Sequence, residues 1–364
     1  MQWTRPPCRP AEPLSADNRP ARRGAPADGL IASSDIRAAA ARISGVAVHT
    51  PLLPVEHGRD RVWLKCESFQ PTGAFKLRGA YNFLACLDLA ERARGVVTYS
   101  SGNHAQAVAF AARAFGIPAT VVMPTDAPAT KVDATRRFGA NVELYGTLST
   151  EREERAREIA SESGLTVVPP FDHANIIAGQ GTVALEIADQ LARLAPEAPD
   201  VLDEAARVPE APVLVVPIGG GGLISGVAAA ARALFSGGRV VGVEPEGAAS
   251  MAESLRAGGP IPLEHIETIA DGLRPVSPGE LTYRHCAALV DEVVTVSDDA
   301  IRRGVRWCFD RRLVVEPSGA AGVAAVLEVG IDALRDGRSG PFVIVISGGN
   351  IGWRRLRSLL ADAV

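Results

Sequence analysis

Lysine is almost missing from this sequence. Lysine and arginine together number 38, and only Lys65, Lys76 and Lys131 are lysines. Arginine keeps its proton inside a protein, so it cannot act as a nucleophile or base, whereas a lysine can once its surroundings lower its pKa. The stretch "PTGAFKLRGA" nevertheless sets Lys76 between Phe75 and Leu77. Other shortages exclude whole classes. No apolar run approaches the roughly 20 residues that a membrane helix needs, so no membrane partner is expected. The N-terminus, "MQWTRPPCRPAEPLSADNRPARRGAPADGL", has no apolar stretch of the signal-peptide kind. Its Pro, Arg and Ala content reads as a disordered extension over residues 1–32. The five cysteines, Cys8, Cys66, Cys86, Cys286 and Cys308, form no CxxC pair. A dispersed, odd set of this kind predicts reduced thiols and a cytoplasmic protein. The net charge is −4, no basic stripe with interleaved aromatics occurs, and nucleic acid is not expected as a partner.

What is present is regular. With 364 residues, 47% hydrophobic and 22% charged, the chain suits two domains or one large α/β unit. "GVVTYSS" (95–101), "ATVVMP" (119–124), "NVELYG" (141–146), "PVLVVPIG" (212–219), "RVVGVEP" (239–245), "DEVVTVS" (291–297) and "PFVIVISGG" (341–349) read as short strands. "RVWLKCE" before Lys76 is strand-like as well. Between them lie stretches such as "HAQAVAFAARAF" and "VAAAARALF", apolar every three or four positions and therefore helical. Buried strands alternating with helices predict parallel sheets covered on both faces. The Pro- and acid-rich "LAPEAPDVLDEAARVPEAP" (194–212) reads as a surface insertion.

Ligands of open parallel sheets gather at the carboxyl ends of strands, and three such ends are unusual. In "VPIGGGGLISGVAAAARAL", Gly219, Gly220, Gly221 and Gly222 lead from a strand into a helix. Bare glycines let backbone N–H groups close on an anion, and the helix N-terminus adds partial positive charge. No Gly-Lys-Ser/Thr follows, so this is not a Walker loop; a close helix–sheet contact would also favour glycine. In "TYSSGNHAQAVAF", Ser100, Ser101, Gly102, Asn103 and His104 suit a carboxylate or a phosphate, though ordinary helix capping uses the same residues. In "FVIVISGGNIG", Ser347 opens a third polar end, which a tight turn would also explain. Lys76 could be a surface residue snorkelling past Phe75. It could equally be an amine, neutral through burial, that condenses with a phosphate-bearing aldehyde held at the glycines.

Taken in order, "WLKCESFQPTGAFKLRGAYN", "SSGNHAQAVA", "PATKVDATRRFGANV", "IAGQGTVALEI", "PIGGGGLISG", "GVEP", "ADGL", "VVEPSGA" and "SGGN" resemble a known family. It is that of the pyridoxal-phosphate enzymes of the tryptophan-synthase-β-like fold (fold type II), in the serine/threonine ammonia-lyase (threonine dehydratase) branch that includes serine racemase. The resemblance runs from about residue 36 to 352. It implies an α/β protein of two open, twisted, mostly parallel sheets covered by helices. Residues 33–92 plus 172–364 would form a large domain and 93–171 a small one. It further implies pyridoxal 5'-phosphate as cofactor, a small amino acid as substrate, and a homodimer or homotetramer.

By the same resemblance Lys76 is the Schiff-base lysine and Gly219 to Gly222 hold the cofactor phosphate. Asn103 bonds the phenolic oxygen, Ser347 faces the pyridine nitrogen, and Phe75 packs on the ring. Thr72, Ser100, Ser101 and His104 surround the substrate carboxylate. The implied reaction is β-elimination from L-threonine or L-serine, giving a 2-oxo acid and ammonia. Alternatives are another β-hydroxy amino acid (hydroxyaspartate, phenylserine or a specialised-metabolite precursor) or a serine racemase-type reaction with Ser101 as second acid/base. Three departures stand out. Ala74 replaces a serine found in many relatives. In the cation-binding relatives a Glu, a carbonyl and an Asp hold the metal; here Glu244 and Ala248 align but Ser250 replaces the Asp, so strong metal binding is not expected. Little chain follows "SGGN", which leaves no room for an allosteric domain. Two other classes remain open: a non-catalytic binding protein, against which Lys76 and the glycines argue, and a nicotinamide-dependent oxidoreductase, for which Glu244 lies at about the right distance beyond the glycines.

Overall fold

The computed structural model of the chain describes residues 29–100, 102–127, 129–194 and 211–361. The N-terminal extension up to residue 28 and most of the Pro- and acid-rich insertion lie outside the described residues. Among those described, ten strands form two sheets. They are β1 (Leu52–His57), β2 (Asp60–Cys66), β3 (Val96–Tyr99), β4 (Ala119–Met123), β5 (Asn141–Leu144), β6 (Thr166–Val167), β7 (Val213–Pro217), β8 (Arg239–Pro245), β9 (Glu292–Val296) and β10 (Phe342–Ile346). The larger sheet runs β1-β2-β10-β7-β8-β9 and the smaller runs β5-β4-β3-β6. All pairings are parallel except that of β1 with β2.

The alternation of side chains along each strand explains why helices cover both faces of the larger sheet. Val213, Val215, Val241 and Val243 pack into one core with Val323 of the helix Pro317–Glu328. Leu214, Val216, Val343 and Val345 face the opposite way, against Ile187 of the helix Ala174–Leu194 and Val227 of the helix Gly222–Leu234. Each fully buried Val or Leu contributes about 1.5–3 kcal/mol, so continuous apolar strands fit a sheet buried on both sides. Separate cores line the smaller sheet, with Val97 and Val122 toward one face and Val121 toward the other.

The helix that carries Lys76, Lys76–Ala85, buries Leu77, Arg78, Ala80, Phe83 and Leu84. It crosses the helix Ala174–Leu194 at Gly79 and Gly179. A Cβ on Gly179 would lie 2.6 Å from the Arg78 carbonyl oxygen, so only glycine permits this approach. Beneath the crossing is a buried ionic network. Arg78 bonds Glu67 at 2.7 Å and Glu186 at 2.7 Å, and Lys65 bonds Glu186 at 2.6 Å. Burial opposes the charge on Glu67, but the Arg78 guanidinium, with Lys65 and the Thr50 hydroxyl, outweighs it and holds that carboxyl below the usual carboxylate range. Among the described residues, no helix is long and apolar enough to cross a membrane.

Candidate active site

The environments of the three lysines differ in kind. Lys65 lies in β2 with Glu186 as ion partner, and Lys131 pairs with Asp271. Lys76 has no acidic partner among the described residues; its amine donates to the Pro170 carbonyl at 2.7 Å. Burial alone lowers its pKa to about 8. An unpaired, desolvated amine has a neutral fraction near pH 7 that an ion-paired lysine lacks. Its nitrogen lies 5.2 Å from the centre of the Phe75 ring.

The glycine loop stands close by. Phe171, next to Pro170, packs so tightly on the loop that a Cβ on Gly220 would lie 2.3 Å from its ring. Gly221 ends the loop with φ of 90°, a left-handed conformation that glycine adopts without strain, and the helix Gly222–Leu234 starts immediately after. Gly220, Gly221 and Gly222 are buried, yet none of the amides of Gly219–Gly222 donates a hydrogen bond to another described residue. Buried backbone N–H groups are rarely left without a partner. Three buried amides in a row, with that of the half-buried Gly219 before them, lead into a 13-residue helix and suit an anion.

The other two strand ends meet the same region. The Ser347 carbonyl, after β10, accepts from the Phe75 amide at 3.0 Å, and its buried hydroxyl donates to the Ser318 carbonyl at 3.4 Å. From the smaller sheet, Asn103 opens the helix Asn103–Phe115. Its Oδ1 accepts from Asn350 Nδ2 at 2.9 Å, and the same Asn350 nitrogen donates to the Thr72 carbonyl at 2.7 Å. The Ser100 hydroxyl accepts from the Gly102 amide at 3.2 Å. His104 is buried and held at about 3, first by desolvation and then by the charge of Lys76, so the imidazole is neutral. Ser101 lies outside the described residues.

Of the residues that sequence reasoning named, one hydrogen bond joins Phe75 to Ser347 and Asn350 links Asn103 to Thr72, whereas the Lys76 amine bonds only Pro170 and the glycine amides bond none of them. That reasoning missed Pro170, Asn350 and Glu316, whose Oε1 accepts from Asn103 Nδ2 at 2.6 Å. Asn350 and Glu316 stand in quoted motifs, "SGGN" and "VVEPSGA", but nothing in those motifs shows what they touch; Pro170 carries no side-chain signal at all.

Comparison with known proteins identifies the family. The chain belongs to the pyridoxal-phosphate dependent enzyme family, whose model matches residues 43–348. It is 42% identical over 327 residues to a serine racemase of Oryza sativa subsp. indica, covering 87% of this chain and 90% of that protein. It is 40% identical over 332 residues to an L-threo-3-hydroxyaspartate ammonia-lyase of Pseudomonas sp, covering 90% and 97%. The solved threonine deaminase of T.th. superposes with a TM-score of 0.78 at 39% identity, covering 88% of this chain and 99% of that one. The two-sheet, tryptophan-synthase-β-like architecture is therefore that of the family, and pyridoxal 5'-phosphate is the cofactor. The nicotinamide alternative falls with this assignment.

The residues present fit the cofactor. The unpaired amides of Gly219–Gly222 offer donors for its phosphate, and Lys76 is the one lysine with an amine free of a carboxylate. Glu244 binds the backbone at the start of a helix. Both its oxygens accept backbone N–H groups at 2.8 Å, from Met251 and Ala252 at the start of the helix Ser250–Ala257, and burial pushes its pKa up to about 8. Ala248 lies buried beside it in the turn before that helix. Among the described residues no group of three or more His, Cys, Asp or Glu side chains could hold a metal ion.

Proposed function

We propose that the protein removes the β-hydroxyl and then the amino group from a β-hydroxy amino acid, L-threonine or L-serine first, releasing a 2-oxo acid and ammonia. The observation that carries this reading is the isolated, desolvated amine of Lys76 beside a row of buried amides with no acceptor of their own. When bound, the cofactor supplies the electron sink that makes an α-proton removable.

The chain's residues supply the rest. Lys76 would anchor the cofactor and, once free, its amine would take the α-proton; its lowered pKa keeps part of the amine neutral near pH 7. Gly219–Gly222 would hold the phosphate. Phe75 would pack on the ring, Asn103 would donate to the phenolic oxygen, and Ser347 would meet the pyridine nitrogen. Ser347 is neutral, so it would not hold a proton on that nitrogen as a carboxylate would, which would favour prompt loss of the β-substituent. Thr72, Ser100, Ser101 and His104 orient the substrate carboxylate at the N-terminus of the helix Asn103–Phe115. A neutral His104 orients without adding charge.

The similarity to the rice serine racemase supports a second reading, in which Ser101 returns a proton to the opposite face. We further assign the protein as a cytoplasmic homodimer or homotetramer, with residues 93–171 as a small domain and residues 33–92 plus 172–364 as a large one. A panel of L-threonine, L-serine, threo-3-hydroxyaspartate and phenylserine, followed by 2-oxo acid release and chiral analysis, separates the possibilities. Oxo acid from threonine or serine is expected; D-serine forming faster than oxo acid, or activity on none of the four, would overturn the proposal.

A further inference from the structure

One buried carboxylate at the site has no part in the chemistry described above. Glu316 precedes the helix Pro317–Glu328, is 2% exposed, and pairs with no cation among the described residues. Its Oε1 accepts from Asn103 Nδ2 at 2.6 Å; its Oε2 accepts no hydrogen bond from a described residue. Asn103 is thereby fixed at both ends of its amide, with Asn350 on the oxygen and Glu316 on one N–H, and its second N–H is left for another acceptor. The contact depends on Gly348, where a Cβ would lie 2.2 Å from Glu316 Oε1.

We propose that Glu316 is a positioning residue for the cofactor: it locks the Asn103 amide so that the second N–H faces the phenolic oxygen, and its charge tunes the proton affinity of the bound cofactor. This rests on the assignment of Asn103 under the proposed function. An ionised carboxylate one side chain away from the phenolic oxygen favours protonation of the neighbouring nitrogen; a protonated one does not. Burial, and then the Asp271 carboxylate, push Glu316 up to about 7, while Lys131 and the Asn103 amide pull it back. Asp271 and Lys131 face each other as an ion pair, so the charges around Glu316 come from the turn Asp271–Leu273 of one segment and the helix Ala129–Arg137 of another.

The test is the visible absorption of the holoenzyme between pH 5.5 and 9, without substrate, for the wild type and for E316Q, D271N and K131M. The wild-type band should change around a midpoint near 7. Gln can still accept from Asn103 but carries no charge, so E316Q should flatten the transition. D271N should lower the midpoint and K131M raise it, each by about half a unit to one unit for a charge at a partly screened distance. A band that ignores pH in the wild type, an E316Q profile like the wild type, or midpoints of D271N and K131M that fail to separate in these directions would overturn the proposal. If E316Q does not hold cofactor, the opposed pair still decides. A coloured enzyme labelled at Lys76 with any of those failures removes only the role of Glu316, whereas a colourless wild type removes the assignment of the site itself.

Discussion

Gly220→Ala tests the anion cradle with one carbon. The new Cβ would lie 2.3 Å from two ring atoms of Phe171 and 2.4 Å from a third, where carbons ordinarily stay about 3.5–4.0 Å apart. Phe171 or the loop must retreat by roughly 1 Å, and overpacking of this kind costs about 1–3 kcal/mol. The strain reaches the chemistry by a short route, because Phe171 follows Pro170, whose carbonyl holds the Lys76 amine at 2.7 Å. Losing one hydrogen bond to a charged phosphate costs a further ~1.5–3 kcal/mol, which is roughly a 10- to 150-fold weaker Kd for the cofactor. Absorbance titration of the apoenzyme with pyridoxal 5'-phosphate, beside a thermal melt, measures both effects. Gly258→Ala is the control: its φ is 82° but a Cβ there meets nothing within 4 Å. It should lower stability by about 1 kcal/mol and leave cofactor affinity unchanged. Wild-type affinity in G220A, or an equal loss in G258A, would show that the amide row does not hold the phosphate.

Two further outcomes are expected. Cofactor attachment requires the neutral amine of Lys76, so its rate should rise with pH through about 8 and level off above, as stopped-flow absorbance would record; a midpoint near the ordinary lysine value of roughly 10.4 would contradict the desolvated environment. R78M would strand Glu67, whereas Glu186 keeps Lys65 as its ion partner; breaking a buried pair costs about 3–5 kcal/mol, read as a lower urea midpoint. Because Arg78 holds Glu67 below the usual range, that stabilisation is present above the unfolded carboxylate pKa and lost as pH falls through the lowered folded value. E67Q should therefore flatten the acid side of the stability profile.

The parallel strands were readable because burial on both faces leaves near-continuous apolar runs bounded by Gly, Pro and Ser, as in β7 and β10. β1 was not, since Pro54 argues against a strand; it is an edge strand, antiparallel to β2, where a missing N–H is tolerated. β6 has two residues, too few for any periodicity. The helix of Lys76 ends at Ala85, and the Asp88 side chain accepts from the Glu91 amide to start a second helix, Leu89–Arg94. At the site, residue type and strand-end position pointed to Lys76, the glycines, Asn103 and Ser347. Glu316 stayed hidden because its chemistry comes from a contact 213 residues away in the chain, and Asn350 reaches Asn103 across 247. Local pattern carries strand ends; it carries no information about which distant ends meet.

The most direct measurement is borohydride reduction of the enzyme reconstituted with pyridoxal 5'-phosphate, followed by peptide mass mapping. A single pyridoxyl label on Lys76, with Lys65 and Lys131 unmodified, is the expected result. A label on either of those two lysines, or none on a protein saturated with cofactor, would contradict it.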